Sequence, residues 1–144
     1  MIVLRHGLMM DASLWDGVIA ELSAGHRCVA PTLPFGAHRH AMRADADLSL
    51  PGIARLVAEL LDRLDLRDVT LVGNDTGSAL VQLLIGDGAA RVGRVVHGRR
   101  LADLFPDGWL VEIDDSYTLI PLDQPARLAQ AIGELAPAAV QRPR

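Results

Sequence analysis

The residues best suited to chemistry are Gly73-Asn74-Asp75-Thr76-Gly77, which follow the apolar run Val69 to Val72 and precede a helical pattern beginning near Ser78. A strand, a tight turn and a helix, with small residues flanking the turn, is the form of a nucleophile elbow, Gly-x-nucleophile-x-Gly, in which one side chain projects from the end of a sheet. In that frame Asp75 is the nucleophile. A carboxylate attacks without deprotonation by a base, and backbone N–H groups at a helix start favour its charged form. The same five residues also suit a plain turn and helix cap, which Asn and Asp make routinely. The pentapeptide alone leaves both uses open.

A second group lies at the end of the first apolar run, in Arg5-His6-Gly7-Leu8, again just before a helical segment. A His-Gly pair there lets a backbone N–H point into the site. The amides of Leu8 and of Thr76, the residue after the nucleophile, would then form a two-donor hole for an oxyanion or a leaving group. Gly7, Gly73 and Gly77 shape this site and His6 supports it, although His6 taken alone suits a capped strand end.

Positioning these groups requires strands that end where they stand. Short apolar runs alternate with helix-length segments along the chain: Ile2 to Leu4, Leu14 to Leu22, Cys28 to Ala30, Ile53 to Leu64, Val69 to Val72, Ser78 to Ile85, Val92 to Val96, Arg99 to Leu104, Leu110 to Ile113 and Pro125 to Leu135. This predicts five β segments, each followed by a helix. Nearly continuous apolar strands are buried on both faces, so the expected fold is α/β, a doubly wound parallel sheet of about five strands with helices on each side. Asp11 or Ser13 caps the first helix, and Ser49 with Pro51 just inside opens the second. The stretch from Pro31 to Leu50, with His38, Arg39, His40 and Arg43, is the one long loop.

Composition narrows the function classes. The 144 residues are 50% hydrophobic and 22% charged, which describes one globular domain spanning residues 1–144. The basic residues, 14 in number, are all arginine, and the net charge of -4 opposes a nucleic-acid surface. Cys28 stands alone, so neither an internal disulfide nor a cysteine metal site is expected. No apolar stretch reaches the length of a membrane span and no signal-peptide core opens the chain, which makes the cytoplasm the expected location. No Gly-x-Gly-x-x-Gly follows the first strand and no lysine is present, which speaks against a dinucleotide site and a phosphorylatable receiver; no metal or other cofactor is expected.

The chain resembles the α/β-hydrolase family over nearly its whole length. The resemblance is carried by Leu4-Arg5-His6-Gly7 with Leu14-Trp15, by Ala30-Pro31-Thr32-Leu33-Pro34-Phe35-Gly36, by the helical run Ile53 to Leu64, and by Val69 to Gly77. In the tail, Arg99 to Pro106, Leu110 to Ile113 and Asp114 to Pro125 are similar to the family's final helix, strand, histidine loop and helix. An aspartate at the elbow resembles the haloalkane dehalogenase and epoxide hydrolase branch, which forms an alkyl ester on that Asp and then hydrolyses it.

Three departures accompany the resemblance. Tyr117 occupies the position of the family's catalytic histidine, and a tyrosine, protonated at neutral pH, is a poor general base. Val96 runs directly into His97-Gly98-Arg99, where the family inserts a cap domain and then the strand bearing its catalytic acid. The chain also begins at the family's third strand. Removing these parts from the family's sheet leaves the order second, first, third, fourth, fifth, a flavodoxin-like arrangement with His6 and Asp75 at the switch point. The resemblance therefore implies a truncated hydrolase of a small ester, halide or epoxide that acts slowly because no residue clearly fills the base's place; His97, at the end of the fourth strand, is the candidate substitute. The alternative is a catalytically inactive domain that keeps only a binding or structural role. A small-molecule substrate is the expected partner, with self-association through the apolar surface that a missing cap would uncover.

Overall fold

The computed structural model describes residues 1–86, 92–96 and 111–136. Successive side chains of a strand point to opposite faces, and the first strand shows how this sequence uses both. In β1 (Ile2–Arg5) every residue is buried. Ile2 and Leu4 enter one apolar cluster and Val3 enters the other. A strand with two apolar faces needs helices on each side, and the connections supply them.

The first crossover passes through a 3-10 turn (Ala12–Trp15) and α1 (Asp16–Leu22) to the short β2 (Cys28–Val29). Asp11 caps the turn by accepting from the Ser13 backbone N–H at 2.9 Å, as its position before Ser13 predicts. After the long loop comes α2 (Leu50–Arg63), whose N-cap Ser49 accepts from Gly52 N–H at 3.2 Å with Pro51 in the first turn. β3 (Val69–Gly73), α3 (Thr76–Gly86) and β4 (Val92–Val96) follow. The described part of the tail holds the single-turn α4 (Ile120–Asp123) and α5 (Pro125–Leu135).

The four strands form an all-parallel sheet in the order β2-β1-β3-β4. Against one face lie α1 and α5, which bring Trp15, Val18, Leu22, Leu128 and Ile132 onto Ile2, Leu4 and Val72. Against the other lie α2 and α3, with Ile53, Val57, Leu61, Leu80 and Leu84 on Val3, Val69 and Leu71. The order reverses direction between β1 and β3, so their carboxyl ends flank the crevice where open α/β sheets hold ligands. Pairing of Arg5 with Gly73 sets those two ends side by side.

The expected fifth strand is not among the described residues. Residues 111–113 carry no strand and Leu110 lies outside the described residues. Val111 and Glu112 are exposed, and only Ile113 turns inward against the α1 and α5 cluster. The carbonyl of Ile113 is taken by the Ser116 hydroxyl at 2.6 Å, and Asp115 adopts a left-handed conformation, φ 56°. The chain therefore turns through Asp114 and Asp115 and satisfies its backbone locally, which ends the run before it can extend a ladder. The helix expected over Arg99 to Leu104 lies outside the described residues.

Candidate active site

The backbone around Asp75 is held by contacts too close for a side chain. A Cβ on Gly73 would stand 2.6 Å from the Gly77 carbonyl oxygen, and one on Gly77 would stand 2.4 Å from that of Arg5 and 2.6 Å from that of His6. Glycine at both ends of the turn is what lets α3 start this close to β1 and β3. Asp75 itself sits at φ 51°, the left-handed region that non-glycine residues enter at a cost of about 1–2 kcal/mol. Hydrogen bonds hold the strained turn in place: Asn74 N–H donates to the Arg5 carbonyl at 3.1 Å, Gly77 N–H to that of Asn74 at 2.9 Å and Ser78 N–H to that of Asp75 at 2.8 Å. The Ser78 hydroxyl donates to the Gly73 carbonyl at 2.8 Å.

This geometry lifts an exposed Asp75 carboxylate off the end of the sheet and lays it against Gly7. A Cβ at Gly7 would lie 2.6 Å from Asp75 Oδ2 and 2.9 Å from its Cβ. The Thr76 hydroxyl donates to the same Oδ2 at 3.1 Å. Neither the Leu8 nor the Thr76 backbone N–H donates to another described residue. Leu8 is 56% exposed and Thr76 half-buried, so both stand at the surface end of the sheet.

His6 plays a different part. It is fully buried, its Nε2 accepts from Leu33 N–H at 2.8 Å and its Nδ1 lies 2.8 Å from the Gly7 carbonyl. Because Nε2 accepts, the ring proton sits on Nδ1 and donates to Gly7. His6 thereby ties the end of β1 to the loop that follows β2, with its ring edge-on to Phe35 at 6.0 Å. Met9 N–H reinforces the tie by donating to the Phe35 carbonyl at 2.9 Å.

Tyr117 is joined to this group by no hydrogen bond among the described residues. It is 87% exposed, and its backbone N–H donates to Asp123 at 2.8 Å. His97 lies outside the described residues. Among the described residues no three His, Cys, Asp or Glu side chains cluster to hold a metal ion, and no helix is long and apolar enough to cross a membrane.

Two features escape a reading of the sequence by pattern. Arg5 is completely buried with no hydrogen-bond partner for any guanidinium nitrogen, and burial pulls its pKa down to about 9. The neighbouring Asn74 side-chain nitrogen is buried and unpartnered as well. The second feature is a cleft of about 440 Å³ where the long loop passes the first helical turn, lined by Asp11, Ser13, Asp16, His38, Arg39 and His40 among others. The Ser13 hydroxyl and amide hold the Asp11 carboxyl below the usual carboxylate range. The loop's length and charge were the only sequence signals for this cleft, and nothing in the strand pattern foretold an unpaired Arg5.

The fold that carries this elbow is matched by known proteins. Residues 1–98 fit the model of the alpha/beta hydrolase fold. The chain belongs to that family. The α/β-hydrolase relatives include a haloalkane dehalogenase from Mesorhizobium japonicum, 33% identical over 79 residues, which are 55% of this chain and 25% of the relative. The haloalkane dehalogenase DatA from Agrobacterium tumefaciens is 31% identical with a TM-score of 0.56, covering 65% of this chain and 32% of that one. An extracellular α/β-hydrolase from a Paenibacillus species is 26% identical with a TM-score of 0.55, covering 73% of this chain and 46% of that one. The chain thus spans about a quarter of the length of the curated relatives and less than half of these solved structures.

Proposed function

We propose that this α/β-hydrolase domain uses Asp75 to displace a leaving group from an electrophilic carbon of a small halide, epoxide or ester, and that it turns over slowly or once. The observation that carries this is the Asp75 carboxylate, exposed on a left-handed elbow and held by Thr76 against Gly7. Likeness to haloalkane dehalogenases supports the same choice of nucleophile. Attack on the carbon of a halide or epoxide forms an alkyl ester on Asp75, and attack on the acyl carbon of an activated ester forms an anhydride there as the alkoxide leaves, with the Leu8 and Thr76 amides stabilising developing negative charge.

Hydrolysis of that intermediate then needs a base to activate water. Tyr117 points to solvent and makes no hydrogen bond to Asp75, so the intermediate accumulates unless His97 serves. The same placement of Tyr117 favours a second reading, a catalytically inactive domain that retains binding or structure alone. Intact mass after incubation with small bromoalkanes, epoxides and activated esters separates the two, with circular dichroism confirming the fold. A persistent adduct that disappears in Asp75→Ala supports the stalled hydrolase. A folded chain without adduct supports the inactive domain, and rapid Asp75-dependent turnover would refute the slow one.

A further inference from the structure

We infer that the Thr76 side-chain hydroxyl acts on the hydrolytic step, stabilising the oxyanion that forms on Asp75 Oδ2 while Oδ1 carries the alkyl group. This rests on Asp75 being the nucleophile and adds a side-chain donor to the two backbone amides. Two independent contacts mark Oδ2. It receives the Thr76 hydroxyl at 3.1 Å, and it lies against Gly7, where a Cβ would come within 2.6 Å of it. Oδ2 is thus the oxygen held toward the Gly7-Leu8 backbone, leaving Oδ1 to attack.

The chemistry gives the hydroxyl opposite effects on the two steps. In the first, Oδ1 forms a bond to the electrophilic carbon while the carbon–leaving-group bond breaks and its electron pair departs with the leaving group. The carboxylate loses its charge, so a hydrogen bond to Oδ2 stabilises the ground state more than the transition state and slows alkylation. In the second, water oxygen adds to Cγ, its proton passes to solvent, and the carbonyl electron pair moves onto Oδ2. The Thr76 hydroxyl then faces a full negative charge where it previously met a neutral carbonyl, which accelerates this step. Collapse returns the pair to form the carbonyl, breaks the Cγ–Oδ1 bond and releases the alcohol, which takes a proton from water.

The test measures both steps separately in the full chain. A primary bromoalkane is the probe, adduct growth and decay are followed by intact mass, and peptide mapping assigns the adduct to Asp75. Mapping is needed because Cys28 is a second nucleophile, although burial raises its thiol pKa and slows it. Decay is read in mildly alkaline buffer, where hydroxide attacks Cγ without a protein base. Thr76→Val is expected to alkylate as fast as the parent or faster while its adduct decays about tenfold or more slowly. Thr76→Ser, which keeps the hydroxyl, is expected to restore parental decay and shows that the effect is not a folding defect. Equal decay in parent and Thr76→Val, or a parallel slowing of both steps, would overturn the hydroxyl's role while leaving Asp75 as nucleophile. Absence of any Asp75 adduct on folded parent protein would overturn both assignments.

Discussion

A methyl group placed at either of two glycines separates what the elbow needs for folding from what it needs for chemistry. At Gly77 a Cβ meets the carbonyl oxygens of Arg5 and His6, backbone atoms with no rotamer to yield. At Gly7 it meets Asp75 Oδ2 at 2.6 Å, which rotation of the carboxylate relieves, and Asp75 Cβ at 2.9 Å, which only a small backbone shift relieves. Gly77→Ala should therefore cost about 3 kcal/mol or more, seen as a large fall in the thermal midpoint. Gly7→Ala should lose less stability, because part of its clash is with a movable carboxylate, and should displace that carboxylate, slowing Asp75 alkylation about tenfold or more. Comparable melting of the two variants would contradict this division. The pentapeptide's spacing was visible in the sequence, but the partner of each glycine was not, because Gly77 meets Arg5 and His6 and Gly7 meets Asp75, each about seventy residues away along the chain.

At the scale of elements, caps and one buried histidine decide where strands and helices stop. The Ser49 cap of α2 was legible from Ser-Leu-Pro, since hydroxyl-bearing residues before a helical apolar pattern satisfy an orphan N–H. Ser49→Ala should destabilise by about 1 kcal/mol, measured by denaturant unfolding, without altering Asp75 alkylation. His6 joins two elements rather than serving as a base. Replacing it by Leu leaves Leu33 N–H buried without an acceptor and should cost about 2 kcal/mol. Unchanged stability in His6→Leu would mean that the loop is held by other contacts. Four of five expected strands form where the apolar runs stand, each pairing with a neighbour in the sheet. Among the described residues the fifth run, 111–113, carries no strand, and Ser116 and the turn at Asp115 satisfy the chain locally.

At the scale of the whole molecule, the centre of the sheet carries a cation with no hydrogen-bonded or ion-paired partner among the described residues. Burial lowers the Arg5 pKa to about 9, well below its value in the unfolded chain, so below pH 9 the fold bears the full cost of a buried guanidinium. Between those values the unfolded chain binds more protons than the folded one, and stability rises with pH. Arg5→Met should stabilise the protein by about 1–4 kcal/mol at neutral pH, with the gap to the parent narrowing above pH 9. Denaturant unfolding across that range checks both sign and position. A destabilised Arg5→Met would show that the guanidinium stem packs better than methionine does.

The order of apolar runs, the Gly-x-Asp-x-Gly turn after a strand and the Ser49 and Asp11 caps are local patterns. Each follows from the pleat, from backbone sterics or from an unpaired N–H, and the sequence alone was enough to place four strands, their helices and Asp75 at a strand's end. Which residues meet was decided only in three dimensions. Parallel register set Gly73 beside Arg5, and close packing then laid the Asp75 carboxylate on Gly7, buried His6 against Leu33 and Phe35, and trapped Arg5 unpaired. It also left Tyr117, which sequence position had aligned with a catalytic histidine, turned to solvent. Periodicity reports which face of an element is buried, whereas contacts between distant segments depend on register and crossover, which no local pattern carries.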